Sequence, residues 1–113
     1  MRDHHDNRDF EAELFQLVRA IPEGRVTSYG ALAAALGSAQ ASRRVGWVLN
    51  QSLGVVPSVP AHRVVNRLGQ LTGASHFPAD RPMAHMLEKE GVVVSNGSVV
   101  DFERVFWDPM RDL

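Results

Sequence analysis

A single glycine, Gly37, separates two short segments suited to helices, and no other feature constrains the fold of this chain as tightly. Upstream, Thr27 or Ser28 can cap a helix with its hydroxyl. Tyr29-Gly30-Ala31-Leu32-Ala33-Ala34-Ala35-Leu36 then runs without a breaker until Gly37 supplies a left-handed C-cap. Downstream, Ser38 can cap a further helix over 39–50, with Val45, Val48 and Leu49 on one side and Gln40, Arg43, Arg44 and Trp47 spread over the rest. Two short helices about a tight glycine turn, the second carrying arginines near its start, predict a helix-turn-helix. Helical pairs that never touch nucleic acid share this pattern.

The remaining elements fit around that pair. Phe10, Leu14, Leu17, Val18 and Ile21 recur at helical spacing behind Asp9, a candidate N-cap, and Pro22-Glu23-Gly24 stops the helix. Pro57 and Pro60 impose an extended loop, since neither has an amide donor and each pushes its predecessor out of helical geometry. Arg63-Val64-Val65 and Gln70-Leu71-Thr72, joined through Asn66-Arg67-Leu68-Gly69, predict a short hairpin beside the helix pair, the wing of a winged helix. A fourth helix is expected from Asp80, with Pro82 in its first turn, Met83, Met86 and Leu87 inward, Glu90 in its last turn and Gly91 at its end. Asn96-Gly97 suits a type I′ turn and predicts a hairpin over 92–101. Phe106-Trp107 is expected to pack structurally, and Trp47 and Trp107 suit core or rim packing better than base stacking. The fold class expected is mainly α with small β hairpins, one winged helix-turn-helix domain over 1–113, with a flexible acidic and histidine-containing segment over about 1–8 and a hairpin and tail over about 92–113.

Charge is segregated. The net charge is -1 over 113 residues, yet between Ser38 and Ala79 the only formally charged residues are Arg43, Arg44, Arg63 and Arg67, and every acid lies outside that stretch. Such a cationic island suits a polyanion such as DNA, and equally an ordinary solvated surface. The chain contains no cysteine, which removes disulfides, thiolate metal sites and any thiol nucleophile. The first residues lack the apolar core of a signal peptide, and no stretch approaches the roughly 20 apolar residues of a membrane span. A soluble, unexported protein without metal or cofactor is expected.

The run Val59-Pro60-Ala61-His62-Arg63-Val64-Val65 has the form of an active-site motif with its nucleophile removed. Alanine has no lone pair, no transferable proton and no metal-binding atom, so a ligand held against Ala61 forms no bond to it. Pro60-Ala61-His62-Arg63-Val64-Val65 resembles the Pro-Cys-His-Arg-Val-Val motif of the O6-alkylguanine-DNA alkyltransferases, with alanine in place of cysteine. Ile21-Pro22-x-Gly24, Ser28-Tyr29-Gly30-x-Leu32-Ala33, Ala41-Ser42-Arg43-Arg44-Val45-Gly46 and Glu90-Gly91 match in the family's order, over about 10–91. The carboxyl-terminal hairpin and tryptophan are more like the short cysteine-lacking relatives, so the chain is identified as similar to the alkyltransferase-like proteins.

That resemblance implies a set of roles. Arg43 matches the arginine that enters the base stack in place of a flipped nucleotide, and Tyr29 the tyrosine that pushes on the adjacent phosphate. Ala41 and Ser42 are small enough for close approach in the minor groove, with Arg44 and Arg67 as further DNA contacts. Val59, Pro60, Ala61, His62, Val64 and Ser75 are expected to form the lesion pocket, with Ala74 in place of a tyrosine that lines it in reactive relatives. His62 and Glu90 match a proton relay that here ends at a methyl group, leaving a structural use. The implied function is non-enzymatic recognition of O6-alkylguanine in duplex DNA, marking it for nucleotide excision repair proteins. A monomer in the cytoplasm, associated with the nucleoid, is expected. Two alternatives stand on the residues alone: a hydrolytic repair enzyme in which His62 and Glu90 activate water, and a winged-helix regulator reading undamaged sequence.

Overall fold

A computed structural model describes residues 7–38, 40–53 and 58–113 of the chain, with side chains from Asp9 onward. The predicted acidic terminus, the Ala39 start of the third helix and Pro57 lie outside the described residues.

Helix α1 (Asn7–Ala20) begins before Asp9, so Asp9 is not its N-cap. It lies in the first turn, where a carboxylate complements the positive end of the helix dipole. Leu14, Val18 and Ile21 are fully buried, as the helical spacing requires. The turn at Pro22-Glu23-Gly24, with Gly24 at φ +82°, leads into the two-residue strand β1 (Thr27–Ser28). Ser28 then caps α2 (Tyr29–Ala35), its Oγ accepting from the Ala31 amide at 3.1 Å, and Gly37 takes the left-handed conformation at φ +83°. Helix α3 (Ser42–Asn50) starts later than the predicted 39–50. The Ala41 amide donates to the Ser38 carbonyl at 2.9 Å, so Ser38 closes a turn between the helices and Ala41 stands at the N-cap without a side-chain acceptor.

The predicted wing hairpin is replaced by a different pairing. Strand β2 (Val64–Val65) pairs in parallel with β1, Thr27 opposite Val64 and Ser28 opposite Val65. The chain then turns tightly, with Asn66 Oδ1 accepting from the amides of Leu68 (3.0 Å) and Gln70 (2.8 Å). Gln70 bridges to Ser98 in the second hairpin rather than forming a strand with Val65. Side chains alternate along a strand, so β2 sends Val64 into one core, with Leu14, Leu32, Val45 and Trp107, and Val65 into another, with Met83, Leu87 and Val92. The strand therefore lies between two apolar clusters, and a short 3₁₀ turn, Ala61–Arg63, precedes it.

Helix α4 (Met83–Lys89) starts three residues after Asp80, because Pro82 occupies the extended N-cap and not the first turn. Gly91 at φ +91° ends it. Strands β3 (Val94–Ser95) and β4 (Ser98–Val99) form the predicted hairpin, shorter than 92–101, with Asn96 and Gly97 both at positive φ as a type I′ turn demands. Two short helices complete the chain, α5 (Phe102–Val105) and α6 (Pro109–Asp112). Between them the backbone follows β1: the Val26 amide donates to the Val105 carbonyl at 3.0 Å and the Trp107 amide to the Val26 carbonyl at 2.7 Å. Arg25 holds the same segment, donating to the carbonyls of Val105 (3.0 Å) and Phe106 (2.6 Å). Trp107 is thereby buried, in agreement with its expected structural role.

Candidate nucleic-acid interface

Helices α2 and α3 meet along a groove of about 710 Å³ lined by Tyr29, Ser42, Arg43, Arg44, Gly46 and Trp47, and on its far side by Asn50, Thr72 and Gly73. Tyr29 is the first residue of α2, so the Ser28 cap fixes its backbone. A β-carbon at Gly46 would lie 3.7 Å from its ring, and one at Gly73 would lie 3.1 Å from its hydroxyl. The tyrosine is therefore wedged between two glycines with its phenol at the groove. Arg43 is exposed, and no partner holds its side chain among the described residues. Ala41 and Ser42 are half-buried, and because Ala41 carries no capping group the first amides of α3 are not occupied by a side chain.

The other predicted DNA contacts lie differently. Arg44 lines the groove but also stacks over the Phe10 ring, 3.9 Å from its centroid, tying α3 to α1. Arg67 is exposed on the turn after β2, in a separate depression with Asp101 and Glu103, away from Arg43. Arg63 is withdrawn from the surface by the ion cluster described below. The cationic island of the sequence is thus divided in space. Trp47, expected in core or rim packing, is 62% exposed and stands one helical turn beyond Arg43 on the groove wall.

The two segments that line the groove continue into a cavity of about 370 Å³: Asn50 and Gly73 face the groove, while Ser52, Leu53 and Phe77 face the cavity. Val59, Pro60, Ala61 and His62 form its wall as expected. Val64 does not, because strand alternation turns it into the core at 1% exposure. Ser75 and Ala74 are exposed on a 3₁₀ turn (Ala74–His76) and do not line the cavity either. That turn ends in extended geometry at Phe77, which closes the wall with Pro78, Arg81 and Met86. None of these four residues was legible as a pocket residue in the sequence.

Beneath the cavity lies an ion cluster. His62 Nε2 is 2.8 Å from Glu90 Oε2, and Arg63 donates to the same carboxylate through Nε (3.0 Å to Oε1) and Nη2 (2.7 Å to Oε2). The Gly24 amide adds a bond to Oε1 at 3.1 Å, and Arg63 Nη1 donates to the Ile21 carbonyl at 2.9 Å. Burial opposes ionisation of Glu90, but the bonds from Arg63, His62 and Gly24 outweigh it and lower its pKa from 4.5 to about 2. Burial also lowers the pKa of His62, against the attraction of Glu90. The neutral imidazole then donates from Nε2 to the carboxylate, and its buried Nδ1 has no partner among the described residues. The relay pair expected from the sequence is present, with Arg63 as a third member. A hint was available: Glu90 falls at the C-cap of a helix, where the dipole disfavours a carboxylate unless a cation compensates it. Among the described residues no cluster of His, Asp or Glu is arranged to hold a metal, and no helix is long and apolar enough to cross a membrane.

Residues 9–92 match the family described as 6-O-methylguanine DNA methyltransferase, DNA binding domain. The chain belongs to that family. Within it the chain is an alkyltransferase-like member: it has no cysteine, and Ala61 stands in the cavity wall. It is 43% identical over 101 residues to the DNA base-flipping protein of Escherichia coli K12, covering 88% of this chain and 74% of that protein. It is 28% identical over 105 residues to alkyltransferase-like protein 1 of Schizosaccharomyces pombe, covering 89% and 96% respectively. The crystal structure of S. pombe Atl1 in complex with damaged DNA containing O6-carboxymethylguanine superposes with a TM-score of 0.72 at 27% identity, over 95% of this chain and 98% of that one.

Proposed function

We propose that this protein recognises O6-alkylguanine in duplex DNA, flips the damaged nucleotide into the cavity and holds it there without transferring the alkyl group. The observation that carries this reading is the position of Ala61: a methyl group occupies the wall of a cavity continuous in sequence with the groove that presents Tyr29 and Arg43. Arg43, unpartnered and exposed, fills the vacated stack, while Tyr29 and the free first amides of α3 engage the phosphate. Flipping costs least where alkylation has already weakened pairing, so selectivity begins before the pocket is reached. A cavity of this size accepts O6 substituents larger than methyl, each buried methylene contributing roughly 0.8 kcal/mol. Arg63 neutralises Glu90, and burial lowers the pKa of His62 and so weakens it as a base, which favours a structural cluster over water activation.

A protein that binds and does not react leaves the lesion in place, so removal requires a separate activity. Nucleotide excision repair proteins meeting the bound monomer on cytoplasmic, nucleoid DNA fit that requirement. Titration of matched duplexes with and without O6-methylguanine, followed by mass spectrometry of protein and DNA, tests the reading. Tighter binding of the damaged duplex with both masses unchanged is expected, and Arg43→Ala should weaken it. An alkylated polypeptide, restored guanine or equal affinity for the two duplexes would overturn the proposal.

A further inference from the structure

The charge of the cavity is not balanced. Its lining includes two guanidiniums, Arg63 and Arg81, and no Asp or Glu. Residues 54–57, which join two of its lining residues, are Gly-Val-Val-Pro and add no charge. Arg63 is committed to Glu90 and the Ile21 carbonyl, and that pair cancels. Arg81 is different: it is exposed, and its side chain has no ion pair or hydrogen-bond partner among the described residues. Its main chain is fixed nonetheless. The Arg81 amide donates to the Pro78 carbonyl at 3.0 Å, and Pro82 follows it at the N-cap of α4. Asp80 and Glu88 share a second depression with Arg81 but do not line the cavity, and neither forms an ion pair with Arg81.

We infer that the cavity selects O6 adducts that end in an anionic group, with the guanidinium of Arg81 as the counter-charge at its mouth. This inference rests on the recognition function proposed above and names the class of lesion it favours. The rest of the wall supports it. Leu53, Val59, Phe77 and Met86 supply apolar surface along which an alkyl stem can pack, and low-dielectric walls concentrate the field of the one lining guanidinium that forms no ion pair among the described residues. Two of the other polar groups are already engaged: Ser52 Oγ donates to the Leu49 carbonyl at 2.7 Å, and His62 Nε2 is held by Glu90. A carboxylate meeting a free guanidinium gains charge-assisted hydrogen bonds that a neutral amide of the same shape does not.

The test uses four duplexes of one sequence, carrying guanine, O6-methylguanine, O6-carboxymethylguanine or its neutral near-isostere O6-carbamoylmethylguanine, titrated by fluorescence anisotropy. The wild-type protein should bind the carboxymethyl duplex about three- to tenfold more tightly than the carbamoylmethyl one. Arg81→Gln should abolish that ratio, and Arg81→Lys should keep part of it. Equal binding of the two isosteres by the wild type would overturn the inference while leaving lesion recognition intact. A uniform loss across all four duplexes in Arg81→Gln would also overturn it, by making Arg81 a phosphate contact. Failure to distinguish any adduct from guanine would instead remove the recognition function beneath it.

Discussion

Replacing Glu90 by Gln tests the ion cluster beneath the cavity, because the change keeps the shape of the side chain and removes its charge. In the native protein the carboxylate accepts from Arg63, His62 and the Gly24 amide, with Glu90 and Arg63 side chains only 9% and 14% exposed. Lowering its pKa from 4.5 to about 2 corresponds, at 1.36 kcal/mol per pH unit, to about 3 kcal/mol of stability at neutral pH. Breaking a buried pair by removing one partner costs a comparable ~3–5 kcal/mol, since the remaining charge is left uncompensated. The sign follows from the direction of the shift. A carboxylate more acidic in the folded state stabilises fully above its unfolded pKa and loses that contribution as pH falls through the folded value. Of the total, about 2 kcal/mol is lost between neutral pH and pH 3. Urea denaturation of wild type and Glu90→Gln at pH 7, 5, 4 and 3 should therefore show a gap of about 3 kcal/mol that narrows by more than half at the acid end. A gap below about 1 kcal/mol at pH 7, or one that stays constant to pH 3, would refute the cluster as a source of stability.

Arg44→Ala removes the stacking over Phe10 and should lower stability by about 0.5–1 kcal/mol in chemical denaturation. Gly73→Ala places a β-carbon 3.1 Å from the Tyr29 hydroxyl. Anisotropy titration should show weaker DNA binding, with the melting temperature nearly unchanged, because the phenol yields more easily than the loop. Ala61→Trp introduces a large ring into the cavity wall and should reduce affinity for bulky O6 adducts more than for O6-methylguanine, measured by competition between the two duplexes. Heating the His62→Ala protein at neutral pH should show a cost that comes from lost packing and one lost bond to Glu90, since the imidazole there is uncharged.

The helices were legible because their signals are local. Ser28 caps α2 and Gly37 ends it from the properties of those residues alone, and Asn96-Gly97 dictates its turn. Boundaries moved where a local signal competed with a neighbour. Ser38 has the right chemistry for an N-cap but closes the turn between α2 and α3, and Pro82 sets the start of α4 from outside the helix. The wing failed for a non-local reason: Val64 and Val65 bury more completely between two cores, paired with β1, than they would in a two-stranded hairpin facing solvent. That same placement removed Val64 from the pocket.

Composition and motif order alone determined that this chain carries no thiol, that alanine stands between Pro60 and His62, and that Tyr29, Arg43, His62 and Glu90 follow one another at fixed spacings. Those facts are covalent and survive any folding. Tertiary structure alone decided which arginines are available, since the four cations between Ser38 and Ala79 became one stacked on Phe10, one clamped by Glu90, one beside acids and one exposed in the groove. It also brought Phe77 and Arg81 to the cavity from residues with no motif around them. The reason is distance. A charge or a ring acts through what lies within a few ångströms of it, and only packing fixes those neighbours.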